Sequence, residues 1–338
     1  MSRGNQKVGY ADLFAGPGLY VNSEGVSHKS IPILACEAAI REPVLRGKVH
    51  LWFNDGDPEN YRQLKSAIGS IPGIETLRYS PTIRNQVITA NWADKLARLS
   101  VPTLVFLDPC GYKGLSLRLV ASVLKGRGND CIFFFNYSRI NMKLDLEIMN
   151  ASIDEFFESA RAAALRAAIR GQSPEEREQI ILTAVKSAIT EAGGIPLFFR
   201  FVSERNRTSH HLFFASKERK AADTMKRILN SASSTVVEGV GSGEHDPRAS
   251  HISGSLFGGL YEVEDRLLSA YRGRRIRFDA LLQEESRERF TESNYRDALL
   301  NLETDGRVAV DPVATDRRYQ AGRIKRTLPK DAYIQFRD

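Results

Sequence analysis

Three acidic residues, each at or next to the end of an apolar run, are the side chains best suited to chemistry. Asp12 precedes a Gly-Pro-Gly turn, Asp55 follows a second apolar run, and Asp108 directly follows a third. In a doubly wound α/β sheet, ligands bind in the crevice outside the carboxyl ends of the strands. We therefore expect the three acids to face one crevice.

The turn after Asp12 has the composition of a loop that lets a ligand approach closely. Gly16 and Gly18 can take positive φ values and carry no side chain, and amides at such a turn can face an anion or a carboxylate. The Asp12 carboxylate could bind the ammonium group of S-adenosylmethionine, and we assign Phe14 of the same loop to that site. A tight strand-to-helix turn without a ligand is the alternative.

Val21 stands where the dinucleotide-binding fingerprint Gly-x-Gly-x-x-Gly would have its third glycine. This difference argues against NAD as the ligand. Asp55 could accept hydrogen bonds from both ribose hydroxyl groups of a nucleoside. Asp57 precedes Pro58 and suits the N-cap of the following helix. The two roles are compatible, and both acids belong to the predicted cofactor site.

Asp108, Pro109 and Cys110 form the candidate catalytic segment. Asp108 could accept a hydrogen bond from an amine that is being methylated, or it could cap the next helix or brace the first loop. A Cys110 thiolate could attack a pyrimidine ring, which requires a lowered thiol pKa and a partner acid. No Glu-Asn-Val element follows in the sequence, so the pattern favours a small unreactive residue at Cys110.

Alternating strand and helix patterns carry these motifs through the first part of the chain. Apolar runs predict strands at 8–13, 49–54, 74–79, 103–107 and 131–137, with helical patterns between them. This alternation predicts a parallel, doubly wound α/β sheet of the Rossmann type. Residues 142–192 have only helical patterns and are interpreted as an insertion. Runs at 196–202 and 211–216 predict an antiparallel hairpin within a domain that covers residues 1–230.

A second, smaller domain is predicted toward the C-terminal end. Residues 231–260 are rich in Ser, Gly and Glu and are interpreted as a linker. In residues 261–338, three helical patterns precede two short strand patterns, 308–310 and 333–336, which flank a polar arm. This order predicts a winged helix, a variant of the helix-turn-helix.

Basic residues form clusters within this C-terminal domain. The net charge of the chain is +7 and its pI is about 9.3, which permits a polyanionic partner. The clusters are separate from the acids, as a phosphate-binding surface requires, and the residues assigned to nucleic-acid binding are Arg274, Arg275, Arg317, Arg318, Lys325 and Arg326. A solvated arm without a partner, or a protein-binding winged helix, is the alternative.

Composition argues against several classes of protein. No run of about 18 apolar residues occurs, which predicts no membrane helix, and the first residues lack the apolar core of an export signal. The cysteines Cys36, Cys110 and Cys131 are scattered and odd in number, which is typical of proteins of the reducing cytoplasm. The zinc-ligand spacings of Cys and His do not occur, so no metal site is predicted.

Taken together, the motifs resemble those of the three-Cys-motif partner (TcmP) family. The resemblance rests on the sequence DLFAGPG at 12–18, on Asp108-Pro109 followed by Gly111, and on the helical segment and C-terminal winged helix, and it covers nearly the whole chain. It implies a class I S-adenosylmethionine-dependent methyltransferase. It also implies a partner protein that carries three cysteines and is similar to radical-SAM iron–sulfur proteins.

The chain departs from the family pattern at Cys110, where an aromatic residue is usual between Asp-Pro and Gly. It also lacks the Asp-Pro-Pro-Tyr form of amino-methylating enzymes, whose aromatic residue stacks on the target base. Three hypotheses remain open. The chain is a methyltransferase acting on nucleic acid, a nucleic-acid-binding adaptor without methyl transfer that positions the iron–sulfur partner, or a carbon-5 pyrimidine methyltransferase that uses Cys110.

Overall fold

A computed structural model describes residues 7–22, 24–89, 91–109, 114–144, 150–249, 259–317 and 327–337. The chain divides into two compact units, the first formed by Met1–Pro196 with His210–Glu218 and the second by Leu197–Ser209 with Arg219–Asp338. Each unit is described by itself.

The strands of the chain are short, and most of them alternate with helices. They are β1 Val8–Asp12, β2 Leu19–Val21, β3 Ser27–Lys29, β4 Val49–Asp55, β5 Thr82–Asn85, β6 Thr103–Leu107, β7 Asp130–Phe135, β8 Ile195–Val202, β9 Thr208–Ser216, β10 Val236–Val237, β11 Val240–Gly241, β12 Glu244–His245, β13 Arg275–Arg277, β14 Val308–Asp311 and β15 Tyr333–Phe336.

The helices range from one turn to five turns in length. They are α1 Ile31–Arg41, α2 Pro43–Arg46, α3 Pro58–Gly69, α4 Trp92–Ala97, α5 Leu117–Lys125, α6 Tyr137–Leu144, α7 Asn150–Phe157, α8 Ser159–Ala168, α9 Pro174–Glu191, α10 Arg219–Ala232, α11 Leu260–Tyr271, α12 Phe278–Glu284 and α13 Glu292–Thr304.

The central sheet has eight strands in the order β12-β8-β9-β7-β6-β1-β4-β5. Strands β5, β4, β1, β6 and β7 pair in parallel with their neighbours, whereas β9 is antiparallel to β7. Counted in chain order, the five parallel strands run 3-2-1-4-5, which is the order of the doubly wound nucleotide-binding fold. The predicted Rossmann-like α/β fold is therefore confirmed.

The third parallel strand is not where the sequence predicted it. Ile74–Thr76 forms one turn of 3₁₀-helix after Gly73, whose φ is +83°, and the strand is Thr82–Asn85. Ile74 and Leu77 pack into the apolar cluster beneath the sheet from this turn. The prediction at 74–79 was wrong because a half-buried turn gives the same apolar signal as a strand, whereas the polar strand Thr82–Asn85 gives almost none.

Close packing explains the residue types at the centre of the sheet. A Cβ atom on Gly9 would lie 2.4 Å from Thr103 Oγ1 and 2.5 Å from a ring carbon of Trp52, so β1 accepts only glycine there. Phe53 and Leu64 are almost fully buried in the cluster that joins β4 to α1 and α3. Complete burial of such side chains stabilises a fold by about 1.5–3 kcal/mol each.

Helices α6 to α9 follow β7, and the described residues between β7 and β8 contain no further strand. The ring of Phe135, at the end of β7, contacts Phe156 and Phe157 with ring centroids 5.6 and 6.4 Å away. Helix α9 begins with a capping box in which Ser173 and Glu176 satisfy each other's backbone amides. The helical segment is thus anchored to the sheet by aromatic packing.

In the second unit, α11, α12 and α13 surround a core with a three-stranded antiparallel sheet in the order β13-β15-β14. Strands β14 and β15 lie where the sequence predicted strands, and β13 lies in a basic stretch that gave no strand signal. Glu285 is buried in this core and accepts hydrogen bonds from Arg266, Tyr271 and Tyr295.

Part of the expected linker, residues 231–249, contains the short strands β10, β11 and β12, and β12 pairs with β8 in parallel. Residues 250–258 lie outside the described residues, and Gly259 and Leu260, the last two residues of the expected linker, form the start of α11. Across the parts of the chain that the structure describes, each helix is too short or too polar to cross a bilayer.

Candidate functional site

Asp12 is the last residue of β1 and lies in the interior, with 2% of its surface exposed. One of its carboxylate oxygens accepts a hydrogen bond from the Phe14 amide at 3.1 Å. Burial raises the pKa of Asp12 to about 7; the Phe14 amide opposes this shift, and the nearby charges of Asp108 and Asp55 add to it. A cation placed at this carboxyl group would restore its ionised form.

Strand register places the three predicted acids together. Asp12 is the partner of Phe53 in β4 and of Phe106 in β6. Asp55 lies two residues after Phe53, and Asp108 lies two residues after Phe106. Side chains two residues apart on a strand share a face, so Asp12 and Asp55 point to the same side of the sheet. The predicted crevice at the carboxyl ends of β1, β4 and β6 is therefore acidic.

The loop after Asp12 needs both of its glycines. Gly16 has φ +64° and Gly18 has φ +89°, values that side chains disfavour. A Cβ atom on Gly16 would lie 2.2 Å from the Tyr20 hydroxyl oxygen, and one on Gly18 would lie 3.2 Å from carbon atoms of Leu64 and Ala67. The loop is thus enclosed by a tyrosine on one side and by helix α3 on the other.

Asp55 joins the loop after β1 to the start of helix α3. One carboxylate oxygen accepts a hydrogen bond from the Gly16 amide at 2.8 Å, and the other accepts from the Asp57 amide at 2.8 Å and from the Asn60 side chain at 3.3 Å. Asp57 in turn caps α3 by accepting from the amides of Glu59 and Asn60 at 2.7 and 3.2 Å. Asp57 is thus the N-cap of α3, the role that its position before Pro58 indicated.

Asn54 is a site residue that sequence reasoning missed. It is buried, and its side-chain amide donates to Leu13 O at 3.1 Å and to Gln86 O at 2.8 Å, while its oxygen accepts from the Gln86 amide at 3.1 Å. Its own carbonyl accepts from the Ala15 amide at 2.9 Å. The sequence signal for this role is that Asn54 is a polar residue within the apolar run 49–54. From the sequence alone, it marks only the end of a strand.

Asp108 and Pro109 follow β6 at the same edge of the sheet, and Cys110 lies outside the described residues. Asp108 is exposed to solvent, and partial desolvation by the surrounding protein raises the pKa of its carboxyl group. Within the described ranges, no group of three or more His, Cys, Asp or Glu side chains is spaced to hold a metal ion.

The residues predicted to bind nucleic acid differ in their surroundings. Arg274 pairs with Glu284 at 3.0 Å, and Arg275 pairs with Asp311 at 3.1 Å; both side chains remain about half exposed. Arg317 instead lies in the interior, 5% exposed, in an ion pair with Glu303.

Arg317 is therefore turned inward, and its guanidinium group does not offer a surface contact for phosphate. The sequence could not reveal this, because its partner Glu303 lies fourteen residues earlier, on α13. Arg318, Lys325 and Arg326 lie outside the described residues.

Comparison with known proteins gives no family assignment. No family model matches the chain, and no curated protein matches it. The chain is similar to the fibrillarin/Nop5p complex at 10% identity, covering 64% of this chain and 74% of that chain, with a TM-score of 0.34.

Two further solved structures are methyltransferases. A putative methyltransferase from Thermoplasma acidophilum has 12% identity, with 63% of this chain and 70% of that chain covered and a TM-score of 0.29. Magnesium protoporphyrin IX methyltransferase from Synechocystis PCC 6803, solved with bound SAH, has 11% identity, with 63% and 74% covered and a TM-score of 0.30. The Rossmann-like assignment of this chain rests on the strand order of its own sheet.

Proposed function

We propose that the chain is a class I S-adenosylmethionine-dependent methyltransferase that binds its methyl donor in the crevice around Asp12. The observation that carries this proposal is the buried Asp12 carboxyl group, with its pKa raised to about 7, beside two further acids and a glycine loop. S-adenosylmethionine carries an ammonium and a sulfonium group, and nearby positive charge favours the ionised form of each acid.

Each residue of the crevice has a role in this proposal. Asp12 would bind the ammonium group, and the backbone turn that Gly16 and Gly18 permit with their positive φ values would face the amino-acid part of the donor. Asp55 would accept from the ribose hydroxyl groups while it keeps the Gly16 amide in place at 2.8 Å. Phe14 belongs to the same loop, and Asp57 supports Asp55 through its backbone amide.

When bound, S-adenosylmethionine supplies a methyl group on a positively charged sulfur. The residues of the chain then have to align the acceptor with that methyl group and exclude water, which accounts for a large part of the acceleration in such reactions. Asp108 stands at the edge of the crevice with a raised pKa. It would accept a hydrogen bond from the acceptor amine and so orient it, with Pro109 shaping the turn.

Isothermal titration calorimetry with S-adenosylmethionine tests the donor site. We expect the wild-type protein and an Asp94→Asn control, whose acid is exposed on α4, to bind equally. In Asp12→Asn the affinity should fall by about 10- to 100-fold, because a hydrogen bond to a charged group contributes about 1.5–3 kcal/mol to binding. Equal heats in all three proteins, or none in the wild type, would contradict the proposal.

We also propose that the C-terminal part of the second unit is a winged helix that holds a nucleic-acid substrate, and that the protein works in the cytoplasm. Support comes from the order of three helices and a three-stranded sheet and from the exposed Arg274 and Arg275. The resemblance to the TcmP family supports a three-Cys, radical-SAM-like partner. Arg318, Lys325 and Arg326 support a nucleic-acid contact by their charge.

Methyl incorporation decides between an enzyme and an adaptor. Incubation with labelled S-adenosylmethionine and total DNA or RNA, with and without the three-Cys partner, should label the nucleic acid. Nucleic-acid binding without any incorporation in the partner's presence would favour the adaptor that positions the partner.

Cys110 gives a separate prediction about the chemistry. Because the sequence lacks the partner element of carbon-5 pyrimidine enzymes, we expect a Cys110→Ser protein to keep at least half of the wild-type methyl incorporation. Thiol attack on a ring would instead make this variant inactive.

A further inference from the structure

A polar cleft of about 590 Å³ opens in the second unit, lined by side chains of α10 and of the first turns of α13. Its volume is in the range of about 300–1,000 Å³ that is usual for ligand sites, but such sites are mostly apolar. All nine residues that line this cleft are polar or charged. A ligand of the cleft would therefore meet charged and hydrogen-bonding groups on both walls.

The cleft carries an excess of positive charge. Two acids, Asp223 and Glu292, line it together with five cations, so its formal charge is +3; the cations are Arg219, Lys220, Arg227, Arg296 and Lys330. Glu292 is shared between Arg296 at 2.7 Å and Lys330 at 2.9 Å, and Asp223 lies 3.8 Å from Arg219. The acids therefore compensate only some of the cations.

Lys220 and Arg227 are the cations that remain available. Both are exposed, and in the described part of the chain neither has a carboxylate within ion-pair distance. They are seven residues apart on α10, which is close to two helical turns, so they lie on the same face of the helix. Two neighbouring exposed cations on one face can contact successive anionic groups.

The other wall of the cleft favours the same kind of ligand. Thr291 and Ser293 belong to the start of α13, a helix of thirteen residues. The first turn of a helix carries partial positive charge and attracts phosphate. Neither wall offers an aromatic side chain, so the cleft lacks the aromatic stacking platform that is typical of proteins that bind single strands through their bases.

We propose that this cleft binds the phosphodiester backbone of a nucleic acid without reading its bases. The proposal rests on the nucleic-acid interaction proposed above and assigns part of that contact to α10, outside the three helices and the arm considered so far. Lys220 and Arg227 would each contact a phosphate, and the start of α13 would face the same strand. Backbone contacts of this kind position a nucleic acid but carry no sequence information.

The test is fluorescence anisotropy with the full-length protein and a labelled 20-base-pair duplex, at several salt concentrations. The variant is Lys220→Gln with Arg227→Gln, which breaks no ion pair of the described residues. The matched control is Arg205→Gln with Arg207→Gln, two exposed arginines with the same change of charge. Circular dichroism and thermal unfolding verify that both variants are folded.

Loss of two phosphate contacts should reduce the slope of log K against log salt by about 1.8, at about 0.9 per phosphate. Between 50 and 200 mM salt, the wild-type protein should then lose about 12-fold more affinity than the cleft variant. The control should keep the wild-type slope, and duplexes of unrelated sequence should bind alike.

Three outcomes would overturn the proposal. If the wild type binds the duplex and the cleft variant keeps its slope, the cleft is not the contact, although the proposed nucleic-acid function stands. If poly-L-glutamate of equal charge binds as tightly as the duplex and needs the same two cations, the ligand is an acidic protein surface. If the wild type binds no nucleic acid at all, the nucleic-acid part of the proposed function fails together with the cleft.

Discussion

Asp12 is a carboxyl group in surroundings that disfavour its charge. Burial raises its pKa from 3.8 to about 7, so this residue titrates in the neutral range. The raised pKa destabilises the folded protein at high pH but leaves a carboxyl group poised to pair with a cation. Residues with shifted pKa values in a crevice are typical of functional sites.

The raised pKa predicts a pH dependence of stability. Because the folded state holds the Asp12 proton more tightly than the unfolded state, the contribution of this residue is fully present below pH 4. This contribution is lost as pH rises through 7, and the free energy of unfolding then falls by about 4 kcal/mol in total. Asp12→Asn should remove this dependence, so the variant should gain stability relative to the wild type between pH 5 and pH 8.

Denaturant unfolding of both proteins at pH 5, 6, 7 and 8 measures this difference directly. Asp94→Asn, which changes an exposed acid, is the control and should follow the wild type. A constant difference between Asp12→Asn and the wild type across this range would show that Asp12 does not titrate near pH 7.

At the scale of elements, the site is a set of loops joined by two side chains. Asp55 connects the loop after β1 with the start of α3, and Asn54 connects the loops after β1 and β5. The two residues are adjacent on β4, and their side chains point to opposite faces. The end of one strand therefore positions the loops on both of its sides.

Replacement of Asn54 by alanine should loosen these loops. The carbonyl groups of Leu13 and Gln86 would lose a donor and the Gln86 amide would lose its acceptor, each at a cost of up to about 1–3 kcal/mol. Hydrogen exchange followed by mass spectrometry should show faster exchange in peptides that cover 13–18 and 85–89, and donor binding should weaken. Asn60→Ala, which removes a partly buried hydrogen bond to Asp55, should have a smaller effect on these peptides.

The sequence predicted most of the sheet but only part of the site. Apolar runs located β4, β6 and β7 to within two residues, because buried parallel strands are continuously apolar. The polar β5 and the basic β13 carry no such signal. The roles of Asn54 and Arg317 were not predictable, because their partners are fixed by the folded loops and not by spacing along the chain.

At the scale of the whole molecule, each unit has a core of its own. One apolar cluster lies around Phe53 and Leu64, and another around Tyr271, Tyr295 and Phe336. Glu285 sits inside the second cluster, 2.7 Å from Arg266 and 2.9 Å from the Tyr295 hydroxyl. A buried acid with this many partners specifies how the helices of that unit meet.

Glu285→Leu should therefore destabilise the second unit by about 1–3 kcal/mol for each of the two phenols, Tyr271 and Tyr295, that loses its buried acceptor. Arg266 keeps an ion pair with Glu288 at 3.0 Å. Hydrogen exchange should increase in α11 and α13, while peptides of β1, β4 and β6 keep wild-type protection. Glu285→Gln retains one acceptor and should cost less. Equal loss of protection in both units would show that they unfold as one.

Titration of Asp12 in the neutral range has a consequence for any measurement of ligand binding. A cationic ligand that requires the carboxylate must expel the proton, so near pH 7 each binding event should release a fraction of a proton into the buffer. The heat measured by calorimetry should then change with the ionisation enthalpy of the buffer, and differ between Tris and phosphate. The slope of that change counts the protons released, and in Asp12→Asn it should be close to zero.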